Sequence, residues 1–165
     1  VVIGGGYIGL EAAAVAHKLG LAVTLVEAAP RILGRVAAAE TADMIRDLHR
    51  THGVEIIEGV GIARITGDTA ANGVALADGR HLPADLVICG IGVSPETALA
   101  EAAGLEIDNG IAVDAQGRTS DPAVWAAGDC ASFPMSRGRL RLESVGNAID
   151  MAEAVALGDR IGFFG

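Results

Sequence analysis

The chain has 165 residues, enough to bury one good core, or one domain and part of another. Hydrophobic residues make up 51% and aromatics 3%, an Ala-, Val-, Ile- and Gly-rich mixture that suits α/β layers better than an aromatic-rich β-sandwich. With 21 acidic against 12 basic residues and a net charge of −9, a broad phosphate-neutralising surface is not expected, which argues against a nucleic-acid partner.

Val1-Val2-Ile3 is a short β-branched strand that runs straight into Gly4-Gly5-Gly6-Tyr7-Ile8-Gly9. Glycines at 4, 6 and 9 between a strand and a helix form a dinucleotide-binding turn: Gly4 permits the tight bend, Gly6 lets the backbone approach a pyrophosphate, and Gly9 lets the helix pack closely. The helix N-terminus adds about half a positive charge on the phosphate side. In a chain with 23 glycines the spacing alone is weak, and its context gives it weight. Ala12 to Ala16 continues as a good helix former, Gly20 ends the helix, and Leu21 to Val26 reads as a buried parallel strand. Glu27 follows Gly9 by eighteen residues, where this fold places an acid on ribose hydroxyls.

After the Ala28-Ala29-Pro30-Arg31 loop, a helix is expected over about Ala37 to His52 and a strand over Val54 to Glu58. From Gly61 to Leu82 short β-like pieces are punctuated by Asn72-Gly73 and Asp78-Gly79, both read as hairpin turns of an antiparallel meander. Leu86-Val87-Ile88-Cys89 then reads as a fully apolar strand with Cys89 buried in it, breaking at Gly90-Ile91-Gly92. Further on come a short helix over Glu96 to Ala103, a turn at Asp108-Asn109-Gly110 and a strand at Ile111 to Val113. Val124 to Ala127 is expected as a strand ending in Gly128-Asp129, which would present a carboxylate at the carboxyl edge of a sheet. A helix from Val145 to about Gly158 carries apolar positions at Ala148, Ile149, Ala152, Val155 and Ala156.

Cys89 and Cys130 form neither a Cys-x-x-Cys pair nor a ligand cluster with the four histidines, so no metal site is assigned. No run approaches the roughly 18 uncharged apolar residues of a membrane span, and no basic segment precedes the first apolar run, so a cytoplasmic protein is expected. The first residue already lies in a strand and Arg160 to Gly165 run out with no closing strand or cap, as expected of a fragment of a longer polypeptide.

Five blocks together resemble the FAD-dependent pyridine nucleotide–disulfide oxidoreductases, and within them the NADH-dependent ferredoxin reductases that serve cytochrome P450 and Rieske oxygenase systems. They are Gly4 to Glu11, Glu27 with Arg31 and Arg35, Gly90 to Pro95, Thr119 to Ala131, and Arg141-Leu142-Glu143-Ser144-Val145-Gly146-Asn147-Ala148. The resemblance implies a doubly wound, Rossmann-like NAD-binding domain over residues 1–95, with a β-meander crossover, followed by the C-terminal part of an α/β FAD-binding domain over 96–165. It assigns Gly4, Gly6, Tyr7, Ile8, Gly9, Glu11, Glu27, Arg35 and Gly92 to NAD, and Gly128, Asp129 and Val145 to FAD. Glu11 and Glu143 would lie near the nicotinamide. The glycine turn is too close to Asp129 in sequence to be the flavin turn, which is expected upstream. Two departures stand out: Gly146 replaces a larger residue, and Glu96 replaces the usual asparagine after Pro95.

The implied reaction is hydride transfer from nicotinamide C4 to flavin N5, then single-electron steps to a [2Fe–2S] ferredoxin or rubredoxin-like acceptor, with no side chain acting as nucleophile or base. Glu27 favours NADH over NADPH, because a carboxylate about 4 Å from a 2′-phosphate costs on the order of 4 kcal/mol at an effective dielectric near 20. Arg31 either guards the pyrophosphate, stacks on adenine or is a solvated loop residue. Glu11 is read in the first helical turn, and Asp129 has a helix cap or turn as its competing role. Arg137, Arg139 and Arg141 alternate, either steering an acidic ferredoxin or lining a plain strand edge. Other members of the superfamily, such as NADH oxidases, nitrite reductase flavin subunits and apoptosis-inducing-factor-like proteins, fit the same blocks. So does a nucleotide-binding module without turnover, and the segment by itself is expected to be inactive.

Overall fold

The computed structural model describes residues 1–159, in two compact units, the first Val1–Gly92 and the second beginning at Val93. The uncapped run expected at Arg160 to Gly165 lies outside the described residues.

The first unit is built on β1 (Val2–Ile3), α1 (Tyr7–Lys18), β2 (Thr24–Glu27), α2 (Ala39–Thr51) and β3 (Glu55–Glu58). A three-stranded meander follows, β4 (Ile62–Gly67), β5 (Ala71–Leu76) and β6 (His81–Pro83), and the chain returns as β7 (Ile88–Cys89). Strands β3, β2, β1 and β7 lie side by side in that order, all parallel. The order reverses between β1 and β7, and α/β sheets hold their ligands outside the carboxyl ends of strands at such a switch.

Side chains alternate across a strand, so the sheet sorts its apolar residues onto two faces. Val2, Leu25 and Ile56 join Leu10 and Ala13 of α1 and Ala42 of α2 in one core, while Ile3, Val26 and Ile57 join Val74 and Leu76 of β5 in another. The meander thus occupies the face that a second layer of helices covers in other doubly wound sheets. Leu25 and Val26 are essentially inaccessible, and burying side chains of this size contributes about 1.5–3 kcal/mol each.

Two expectations are corrected in this unit. Asn72-Gly73 is not a turn: both residues lie within β5, and the reversal falls at residues 68–70 instead. A Cβ at Gly73 would come within 2.5 Å of the His81 ring and 2.7 Å of the Leu82 carbonyl oxygen, so the glycine serves strand approach. Asp78-Gly79 does lie at a reversal, between β5 and β6. Finally, β7 is two residues long and sits at the sheet edge, leaving Cys89 exposed rather than buried.

The second unit contains α3 (Ala98–Ala102), β8 (Ile111–Ala112), a 3₁₀ turn (Gly128–Cys130), β9 (Ala131–Met135), β10 (Gly138–Leu140) and α4 (Val145–Leu157). β9 pairs parallel to β8 and antiparallel to β10, around a core of Val113, Ala131, Phe133 and Met151. The expected strand at Val124–Ala127 is absent. A single bridge between Arg118 and Trp125 closes that segment, and Thr119 and Asp121 fold it into a loop by bonding the backbone of Val124 and Ala123. The strand instead begins after Gly128-Asp129, which puts Asp129 at the amino end of β9, not at a carboxyl edge. α4 buries Met151, with Ala148 and Val155 half-buried, whereas Ile149, Ala152 and Ala156 are exposed. No described helix is long and apolar enough to cross a membrane.

Candidate functional site

In the first unit the glycine turn occupies the switch between β1 and β7. Gly4 has φ +104°, and a Cβ there would clash with the Gly90 carbonyl oxygen; a Cβ at Gly9 would clash with the Gly4 carbonyl oxygen. The turn is therefore closed tightly upon itself. Gly6 caps α1 on extended backbone, and a side chain there would meet nothing within 4 Å. No side chain caps α1, so its first-turn N–H groups have no side-chain partner at an end that carries partial positive charge. Tyr7 and Ile8 beside it are 60% and 63% exposed, and Gly92 is exposed with open space around it.

Gly5, which the glycine spacing passes over, is the most tightly held of the set. Its N–H donates to Glu27 Oε2 at 2.6 Å, its carbonyl accepts from the Leu33 N–H at 2.8 Å, and a Cβ on it would meet Ile32 Cγ2 at 2.6 Å. Leu33 adopts φ +52°, a conformation rarely taken by residues other than glycine. That signal is invisible in the sequence, because a buried leucine in a loop reads as ordinary core.

Glu27 stands at the carboxyl end of β2. Its other oxygen accepts from the Ala29 N–H at 2.7 Å, so the carboxylate is fixed by two backbone donors; each oxygen keeps a second lone pair for a further donor. Arg31 is half-buried and donates through Nη2 to the carbonyls of Ala37 at 2.9 Å and Gly34 at 3.4 Å. It is neither a solvated loop residue nor a free cation. Its buried Nη1 has no protein partner among the described residues. Arg35 is exposed. Glu11 falls in the second turn of α1 rather than the first, lining an apolar groove with Tyr7, Leu10, Ile45 and His49.

In the second unit Gly128 (φ +79°) packs against α4, where a Cβ would lie 3.4 Å from the Ala148 Cβ. Its missing side chain admits a helix. Asp129 is exposed and accepts from the Ser144 N–H through Oδ1 at 3.3 Å, just before α4. Ser144 supplies no side-chain cap, and Val145, the first residue of the helix, is 80% exposed. The arrangement sets a carboxylate beside an uncapped helix N-terminus that favours negative charge. Arg141 joins the pieces: it donates to the Asp129 carbonyl at 3.0 Å and pairs with Glu143 at 2.6 Å.

The alternating arginines do not form a free stripe. Arg139 binds the Val113 carbonyl at 2.7 Å and the Ser132 carbonyl, while Arg141 is engaged as above. Both hold backbone together, as the strand-edge reading expects, and Arg141 is also charge-paired with Glu143, whereas Arg137 is exposed. Of the two departures, Gly146 has room for a larger side chain, and Glu96 accepts from the Ala98 N–H at 2.9 Å at the start of α3.

Residues 1–152 match the family model described as pyridine nucleotide-disulphide oxidoreductase. The chain is 47% identical over 161 residues to putidaredoxin reductase of Pseudomonas putida, covering 94% of this chain and 38% of that protein. It is 50% identical over 157 residues to the ferredoxin reductase subunit of a Sphingobium 5,5′-dehydrodivanillate O-demethylase, covering 92% and 38% respectively. The reductase in a crystallised covalent putidaredoxin reductase–putidaredoxin complex superposes with a TM-score of 0.89 at 45% identity, over 95% of this chain and 39% of that one. The chain thus spans about two fifths of the length of these relatives.

Proposed function

Since the chain belongs to the pyridine nucleotide-disulphide oxidoreductase family, we propose that it is the nucleotide-binding part of a cytoplasmic NADH-dependent flavoprotein reductase that passes electrons to a ferredoxin-type iron–sulfur protein. The acceptor reading rests on the names of its relatives, a putidaredoxin reductase and the ferredoxin reductase subunit of an O-demethylase. On this reading the first unit is the NAD-binding domain, with a boundary at Gly92–Val93, and the second belongs to the FAD-binding domain.

The observation that carries the reading is the shape of the glycine turn: closed at Gly4 and Gly9, open at Gly6, and set at an uncapped helix end. The residues fit the two cofactors. A pyrophosphate would take the free N–H groups after Gly6, and a ribose would use the remaining lone pairs of Glu27. Asp129 has acceptor capacity for the polyol chain of FAD, and the α4 N-terminus would favour an electron-rich edge of the flavin. When bound, the cofactors supply the hydride and one-electron chemistry. The chain's own work is to bind, orient and exclude water; no described side chain is required as a nucleophile or base.

Donor selectivity tests the assignment. In the complete polypeptide, Glu27→Ala is expected to shrink the ratio of kcat/KM for NADH over NADPH by about tenfold or more, since it removes a charge that repels a 2′-phosphate. An unchanged ratio would take Glu27 off the ribose.

A further inference from the structure

β2 and β3 run in register to a pair of acids, Glu27 opposite Glu58. Only Glu27 holds the position expected of a nucleotide contact, yet Glu58 is the more heavily bonded. Its side chain is 15% exposed; Oε1 accepts from the Ile32 N–H at 2.8 Å and from Arg46 Nη2 at 2.9 Å, and Oε2 accepts from Arg46 Nε at 2.7 Å. Arg46 reaches over from α2 and also pairs with Asp43 at 2.5 Å. Its guanidinium is held above the ordinary pKa by Glu58 first and Asp43 second.

Ile32, the residue Glu58 holds, is fully buried and presses its Cγ2 on Gly5. Leu33, the next residue, bonds the Gly5 carbonyl from a left-handed backbone that its surroundings must enforce. The contacts therefore run unbroken from Arg46 through Glu58 and Ile32 to Gly5, and from Gly5 to Glu27. The loop they anchor also carries Arg31 and Arg35. We propose that Glu58 is a positioning residue for nucleotide binding: it fixes Ile32–Leu33 so that the glycine turn and the Glu27 carboxylate stand ready before NADH arrives. This rests on reading the first unit as the NADH site.

The test uses the complete, flavin-loaded polypeptide, measuring KM and kcat for NADH and the inhibition constant of ADP-ribose, which carries the adenosine and pyrophosphate but no nicotinamide. Glu58→Ala is expected to raise KM and the ADP-ribose constant together by about tenfold, the scale of a lost hydrogen bond to a charged group, with kcat at saturation and the flavin spectrum unchanged. Glu58→Gln keeps an oxygen for the Ile32 N–H and is expected to restore part of the loss; it carries the test should Glu58→Ala not accumulate. Asp43→Ala, which frees one side of Arg46 without touching Ile32, is expected to leave both constants as they were. Unchanged constants in both Glu58 variants, or a fall in kcat with Gln no better than Ala, would overturn the proposal alone. A parent protein that ADP-ribose does not inhibit at all would overturn the nucleotide reading together with it.

Discussion

A methyl group added at Gly4 would collide with the Gly90 carbonyl oxygen on a backbone at φ +104°, whereas one added at Gly6, at φ −82°, meets nothing within 4 Å. Two glycines of one motif thus serve different ends. Gly4→Ala is expected to lower unfolding stability by about 1–2 kcal/mol or more, because the left-handed conformation alone costs that much and the clash adds to it. Gly6→Ala should leave the urea midpoint close to the parent's and weaken NADH binding instead. Equal destabilisation by both would show that the space over Gly6 is not kept for a ligand. At this scale the sequence conveyed residue types but not contacts. Glycine spacing pointed to 4, 6 and 9 and passed over Gly5, whose neighbours Glu27, Ile32 and Leu33 lie more than twenty residues away. Asn72-Gly73 carried strong turn chemistry, yet Gly73 is needed where β5 passes under His81, so tertiary contact overrode local preference.

The paired helices α1 and α2 show what burial does to a titrating group. His49 lines the groove between them with Leu10, Glu11 and Ile45, and burial first, then the nearby His52, push its pKa below 6.5. A histidine that resists protonation when folded takes up a proton more readily when unfolded, so stability is full above its ordinary pKa and falls as the pH drops through it. Between about pH 7.5 and 5.5 the urea midpoint of the parent should therefore fall further than that of His49→Gln. Equal losses in the two proteins would remove His49 from the acid response. Among the elements, the long periodic ones were legible: α1, α2 and the parallel strands follow from apolar spacing and fall within a few residues of the expected spans. The segment before Asp129 was not, because Val124 to Ala127 is apolar enough for a strand while the Thr119 and Asp121 side chains fold it as a loop. α4 was placed correctly but turned: its buried line runs through Ala148, Met151 and Val155, and Met151 was missed because the alanine-rich helix offers apolar residues on every side.

For the whole molecule, the proposed function implies a division of labour between the two units: the first would select the electron donor, the second would contribute to holding the flavin, and a ferredoxin-type protein would receive the electrons. On that reading the net charge of −9 opposes an acidic partner and Arg139 and Arg141 are engaged with backbone carbonyls, so acceptor reduction is expected to depend little on these two arginines. The blocks that carried family resemblance reach across both units, and the family model spans residues 1–152. The donor side rests on a turn whose geometry is local to the chain, which makes it the sharper part of the account to test. The direct measurement is an anaerobic titration of the complete polypeptide with NADH and, separately, NADPH, following the visible flavin absorbance. Bleaching at close to one equivalent of NADH, with NADPH far less effective, is the predicted result; absence of bound flavin, or equal bleaching by both nucleotides, would contradict it.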